Sequence, residues 1–137
     1  MRNVTLGIAA LVLASCSDPV TAPGELPSVT GSWVLQSFQT EGGPSGVVAD
    51  AGAYTADFAT DGPVSARADC NRCSASYSAA GTSLEIGALA CTRAYCGDES
   101  FSDDYAAALD DATSFARSSS SLVIRHPRGS LRFVPNS

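Results

Sequence analysis

Apolar and polar residues alternate along most of the chain with the two-residue period of half-buried β-strands. Tyr54 to Phe58 shows it most cleanly, with Tyr54, Ala56 and Phe58 on one face and Thr55 and Asp57 on the other. Asp61-Gly62 then signals a turn, and Val64 to Cys70 sets Val64, Ala66 and Ala68 against Ser65 and Arg67. An earlier strand runs from Gly31 to Phe38, with Trp33 and Leu35 on one face, and Trp33 is a core candidate. The glycine-rich stretch after it is a loop with a short edge strand at Val47-Val48. Ser74 to Tyr77 and Ser83 to Ala90 pair around Ala79-Ala80-Gly81-Thr82. Leu89 falls out of step there, so a bulge or strand end is expected near Gly87. The last hairpin flanks Pro127-Arg128-Gly129: pairing Ile124 with Leu131 also pairs Leu122 with Phe133 and puts four large side chains on one face.

The helical period occurs in one place. Phe101, Tyr105, Ala108, Leu109 and Ala112 recur at helical spacing. Ser100 with Asp103 has the form of a capping box, and the acids at its start suit the positive end of the dipole. Asp110 and Asp111 do not suit the other end and mark a candidate stop.

Before the strands comes a different pattern. Arg2 precedes an apolar run from Leu6 to Ala14, too short to span a bilayer, and the run ends in Leu13-Ala14-Ser15-Cys16. This is the pattern of a bacterial lipobox, in which small residues precede a cysteine that is acylated and becomes the new N-terminus. The expected organisation is a lipoprotein signal peptide over 1–15, a lipidated N-terminus at Cys16 with a flexible tether over 16–30, and a folded domain over 31–135. Ser17 to Ser28 is rich in proline and has no apolar periodicity, as suits a spacer. Its partner is the membrane, through the N-terminal lipid. Ser17 stands where an inner-membrane retention signal would carry Asp, so the expected address in a Gram-negative host is the outer membrane, facing the periplasm.

Composition narrows the function. At 137 residues the chain has room for one domain and none for a two-domain ligase or dehydrogenase. It carries 14 acidic residues against 8 arginines and no lysine, a net charge of −6. Such a surface repels phosphate backbones, so nucleic acid is not an expected partner. The single His126 lies at the last turn with no second histidine beside it. Asp69, Asn71, Arg93 and the acids from Asp98 to Asp104 are the polar residues that an enzyme would use, but no Ser-His pair, paired-acid motif or metal-ligand spacing joins them. Asp69 and Arg93 are also placed to bridge the hairpin ends. No catalytic residue, metal site or cofactor is expected.

Cys70, Cys73, Cys91 and Cys96 admit three readings: a zinc site, a redox C-x2-C, or two disulfides. Export to an oxidising compartment favours disulfides, and no βαβ unit is present to carry a redox motif. Centring the hairpin on Thr82 sets Cys73 opposite Cys91 and leaves Cys70 and Cys96 two residues off the ladder. That register favours nested pairing, Cys70-Cys96 outside Cys73-Cys91; crossed and adjacent pairings stay open.

Together these residues resemble the META domain family, that of HslJ-like bacterial envelope lipoproteins. The resemblance is carried by Gly31, Trp33 and Leu35 in G-x-W-x-L, the strand ending at Phe58, the Cys70-Asn71 step and Tyr77. It continues through Leu84 to Cys96, with Thr92, Arg93 and Cys96 in a T-R-x-x-C pattern, then the helix and the closing hairpin. It implies a mainly β (α+β) fold: a curled antiparallel sheet approaching a barrel, with one helix packed against it before a C-terminal hairpin. It also implies a cysteine pair at Cys70 and Cys96, which supports the nested pairing, with Cys73-Cys91 an addition. The family commonly has glycine where this chain has Asp69, Ala66 and Ala75, which puts a tight turn before Cys70 in question. The function implied is non-catalytic: an envelope module with a structural or protein-interaction role tied to envelope stress or drug tolerance and an envelope protein as partner; a monomeric domain is expected. Carriage of a small apolar ligand or lipid inside the sheet is the alternative, and the interior volume separates the two.

Overall fold

The computed structural model describes residues 28–50 and 52–137. Ten strands and a helix follow in order: β1 (Gly31–Thr40), β2 (Ser45–Val47), β3 (Tyr54–Phe58), β4 (Pro63–Ala68), β5 (Asn71–Ala80), β6 (Ser83–Ile86), β7 (Ala90–Cys91), α1 (Ser102–Asp110), β8 (Ser114–Arg117), β9 (Leu122–His126) and β10 (Gly129–Pro135). The sheet is antiparallel and runs β10-β9-β8-β6-β5-β4-β3-β1, and β10 pairs back onto β1 to close an eight-strand barrel. β2 and β7 lie outside this circuit, paired to β1 and β5. The curled sheet implied by the resemblance is therefore a closed barrel.

Each strand puts its apolar face inward. Tyr54, Ala56 and Phe58 are buried, as are Val64, Ala66 and Ala68 on β4. The last hairpin has the expected register, with Leu131 opposite Ile124 and Phe133 opposite Leu122. Trp33 and Leu35 point inward from β1, and a register shift between Leu35 and Ser37 turns Phe38 toward the helix. The turn before β10 presses against β1: a Cβ on Gly129 would meet the backbone of Gln39 and Thr40, so only glycine fits. Ser114–Arg117 forms a strand that alternation alone does not announce, because only Phe115 of its four residues is buried.

Side chains close both ends of the barrel. At one end Val29 is 1% exposed, and its carbonyl accepts a hydrogen bond from Trp33 Nε1 at 2.9 Å. Arg117 lies 5.0 Å over the Trp33 ring and donates to the carbonyls of Ser28 and Thr30. The core thus begins ahead of β1. At the other end α1 lays Tyr105, Ala108 and Leu109 on the core. Its N-cap is Phe101, with no side-chain cap, so the Ser100–Asp103 capping box does not form. Aromatic packing sets the helix entry instead: Phe101 stacks on Phe38 at 3.9 Å, and its N–H donates to the Tyr54 hydroxyl.

Tyr105 is fully buried and donates its hydroxyl to the Thr55 carbonyl at 2.8 Å. Burial, reinforced by the charge of Asp57, pushes its phenol well above the ordinary value of 10.0. The unfolded chain would lose this proton first, so the folded state is favoured below the unfolded value and loses that advantage as pH rises above it. Alkaline unfolding followed by circular dichroism should shift to higher pH in Tyr105→Phe, at a cost of about 1 kcal/mol at neutral pH for the lost hydrogen bond.

Candidate functional site

Of the polar residues singled out in the sequence, Asp69 and Asn71 lie where the β4–β5 hairpin meets the segment after β7, the segment that carries Arg93. The two-residue turn Asp69-Cys70 joins Ala68 to Asn71, which are paired. Asp69 takes a left-handed backbone there, φ 57°, and its N–H donates to the Ala53 carbonyl at 2.7 Å. The turn forms with Asp in the glycine position because a short polar side chain tolerates this region better than most. Asp69→Gly should leave stability unchanged or raise it by about 0.5 kcal/mol, whereas Asp69→Val should lower it by about 2 kcal/mol in denaturant unfolding.

Asn71 follows and is 5% exposed. Its Oδ1 accepts from the Thr92 hydroxyl at 3.0 Å and from the Ala94 N–H at 2.7 Å. Its Nδ2 donates to the Ala94 carbonyl at 3.0 Å and to Cys96 Sγ at 3.3 Å. Thr92 is held a second time, because its hydroxyl accepts from the Arg72 N–H at 3.0 Å. One buried amide therefore organises the whole turn from Thr92 to Cys96. The structure joins Cys70 to Cys96, with Cα atoms 5.6 Å apart, and Cys73 to Cys91 across β5 and β7.

The register explains the second pair. Along β5 and β6 the pairing is Tyr77 with Ile86 and Ala80 with Ser83, one residue off a hairpin centred on Thr82. Between Ile86 and Ala90 the chain gains one residue relative to β5, and Cys73 then faces Cys91. The strand end expected near Gly87 falls at Ile86, and the one-residue offset before β7 sets the new register.

Arg93 does not pair with the hairpin end but lines a groove of about 240 Å³ with Thr92, Leu89 and the exposed side of α1. Asp103 and Asp110 stand on the helix side of that groove. Asp110 also accepts from the Leu89 N–H at 2.9 Å, which gives the acid at the helix end a local partner. Tyr95 is 78% exposed and donates its hydroxyl to the Asp98 carboxylate. That bond, with a smaller contribution from desolvation, raises the phenol above its ordinary value. Asp98, Glu99, Asp103 and Asp104 are all exposed. Among the described residues, no group of three or more His, Cys, Asp or Glu side chains is placed to hold a metal ion. His126 lies apart, at the end of β9; burial lowers its pKa, Asp111 raises it and Arg128 lowers it. Cys16 lies outside the described residues.

The comparison with known families decides the relationship. The model of the META domain matches residues 26–137. The chain belongs to the META domain family. No curated protein matches it significantly. Among solved structures, this META domain is similar to a protein from Burkholderia xenovorans solved by NMR, with TM-score 0.61 and 25% identity over 78% of this chain and 82% of that one. It shares its fold with a DUF4847 family protein from Bacteroides vulgatus ATCC 8482, with TM-score 0.57 and 14% identity over 78% and 93% of the two chains. A further NMR structure shares the fold at TM-score 0.56 and 19% identity, over 76% and 87%. In this META domain the Cys70-Asn71 step and the T-R-x-x-C pattern, separate in sequence, form a single hub. Asn71 is the residue whose part the sequence does not reveal: nothing in its surroundings in the chain marks it as buried.

Proposed function

We propose that this META domain is a non-catalytic lipoprotein module of the bacterial cell envelope, with a structural or protein-interaction role. The observation that carries this reading is the filled barrel. Trp33, Leu35, Phe58, Phe115 and Phe133 occupy the interior at 2% exposure or less, with Val29 and Tyr105 at its ends. The side chains that would have to line a ligand chamber pack on one another instead, which favours an interaction surface over carriage of an apolar ligand. Asn71, Thr92 and Asp110 have structural partners of their own, and this supports a non-catalytic role.

The anchor in this reading is acyl chains on Cys16 after removal of residues 1–15, supported by Leu13-Ala14-Ser15-Cys16 at the end of the apolar run. Two or three chains hold a protein at a bilayer far more firmly than one. The lipid would place the domain at the outer membrane of a Gram-negative host, facing the periplasm, and the family resemblance connects it there with envelope stress or drug tolerance. Intact-mass measurement on protein extracted from host membranes should show loss of residues 1–15 and added acyl mass. A free, unmodified Cys16 thiol would contradict the anchor.

A further inference from the structure

The geometry points to the segment 92–97 and the groove beside it as a docking site for an extended peptide segment of a partner protein, one carrying an acidic residue and a nearby basic residue. This deepens the interaction reading above and rests on it.

The first observation is an alternation within the segment. Thr92, Ala94 and Cys96 are engaged by the hub, through the Thr92 hydroxyl, both backbone groups of Ala94 and the bond from Cys96 to Cys70. The side chains of Arg93 and Tyr95 take no part in the hub; all four residues from Thr92 to Tyr95 are exposed. Arginine and tyrosine are among the side chains that most often dominate protein interfaces. Here they stand on a backbone already fixed by a disulfide and a buried amide, so binding need order little that is not already ordered.

The second observation is the chemistry of the groove. Arg93 lies on one side, Asp103 and Asp110 on the other, and Leu89, Ala106 and Ala107 supply apolar surface. At about 240 Å³ the groove has room for one or two side chains of an extended segment. A uniformly anionic partner would be repelled by Asp98, Glu99, Asp103 and Asp104, and a uniformly basic one would meet Arg93. The complement is mixed: a carboxylate toward Arg93 and a cation toward Asp103 and Asp110.

The test is an NMR titration of the full chain in detergent micelles with three short capped peptides: Ala-Glu-Leu-Ala-Lys-Ala, the same peptide with Lys in place of Glu, and the same peptide with Glu in place of Lys. The mixed peptide should give saturable amide shifts concentrated at 89–95 and 103–110. Arg93→Gln should weaken it by about tenfold, and so should Tyr95→Ala. Both variants remove exposed side chains and leave the hub intact, and unchanged shifts of Asn71 and Ala94 would verify this. Absence of saturable shifts, shifts centred elsewhere, or equal binding of the two-lysine peptide with no effect of Arg93→Gln would each overturn the proposal. The peptide result and the acylation of Cys16 are separate measurements, so the docking site and the anchor can fail independently.

Discussion

Asn71→Ala should lower the unfolding free energy by about 3 kcal/mol, a large effect for one polar side chain. The substitution removes two acceptor and two donor interactions together and strips Ala94 of partners for both its N–H and its carbonyl. A typical hydrogen bond contributes about 1 kcal/mol net, and groups left without partners add to the loss. The damage should be local. The barrel closure between β1 and β10 and the helix contacts with Phe38 and Tyr54 involve none of these atoms. Denaturant unfolding gives the magnitude, and hydrogen exchange should rise first at 92–97. An effect below about 1 kcal/mol would mean that water or the neighbouring bridge replaces the amide.

The second large effect concerns the bridges. Peptide mapping without reduction should recover Cys70-Cys96 and Cys73-Cys91. Replacing either pair by alanine should cost about 3 kcal/mol, and chain entropy separates the two by only a few tenths because closure cost grows slowly with loop length. What should differ is where the molecule loosens. The Cys73–Cys91 bridge joins strands that already pair, so its loss should raise exchange at β7. The Cys70–Cys96 bridge holds the same turn as Asn71, so its loss should raise exchange at 92–97. Helix docking should survive both, because Phe101 and Tyr105 pack on Phe38 and Tyr54 and the helix lies on β4 and β9. Crossed links in the peptide map would overturn the register. Loss of helix protection on removing the outer bridge would show that the turn governs docking after all.

Much of the barrel was legible because burial on one face of a strand writes itself as alternation. Tyr54 to Phe58 and the Ile124–Leu131 pairing needed nothing beyond side-chain period and turn chemistry. Three features escaped that logic for distinct reasons. β8 presents only Phe115 inward within a serine-rich stretch, so no alternation can be counted. Val29 is core, yet it sits in a proline-rich segment that reads as a spacer, and its burial depends on Trp33 and Arg117 from distant elements. The capping box at Ser100 was a sound local signal overridden by tertiary packing of Phe101. At the candidate site, the sequence showed the residues but not their meeting. Asn71 and Ala94 are brought together by the one-residue offset between β6 and β7 and the turn at Asp69, and neither feature has a period to betray it.

In the proposed function the barrel is a filled scaffold carried on a lipid anchor. Native mass spectrometry of protein purified from its host envelope, compared with the same sample denatured, tests both halves at once. The predicted result is one mass in both states, that of residues 16–137 with acyl chains on Cys16. Extra mass present only in the native state, from a lipid or small apolar molecule released on unfolding, would contradict the filled interior and make the domain a carrier.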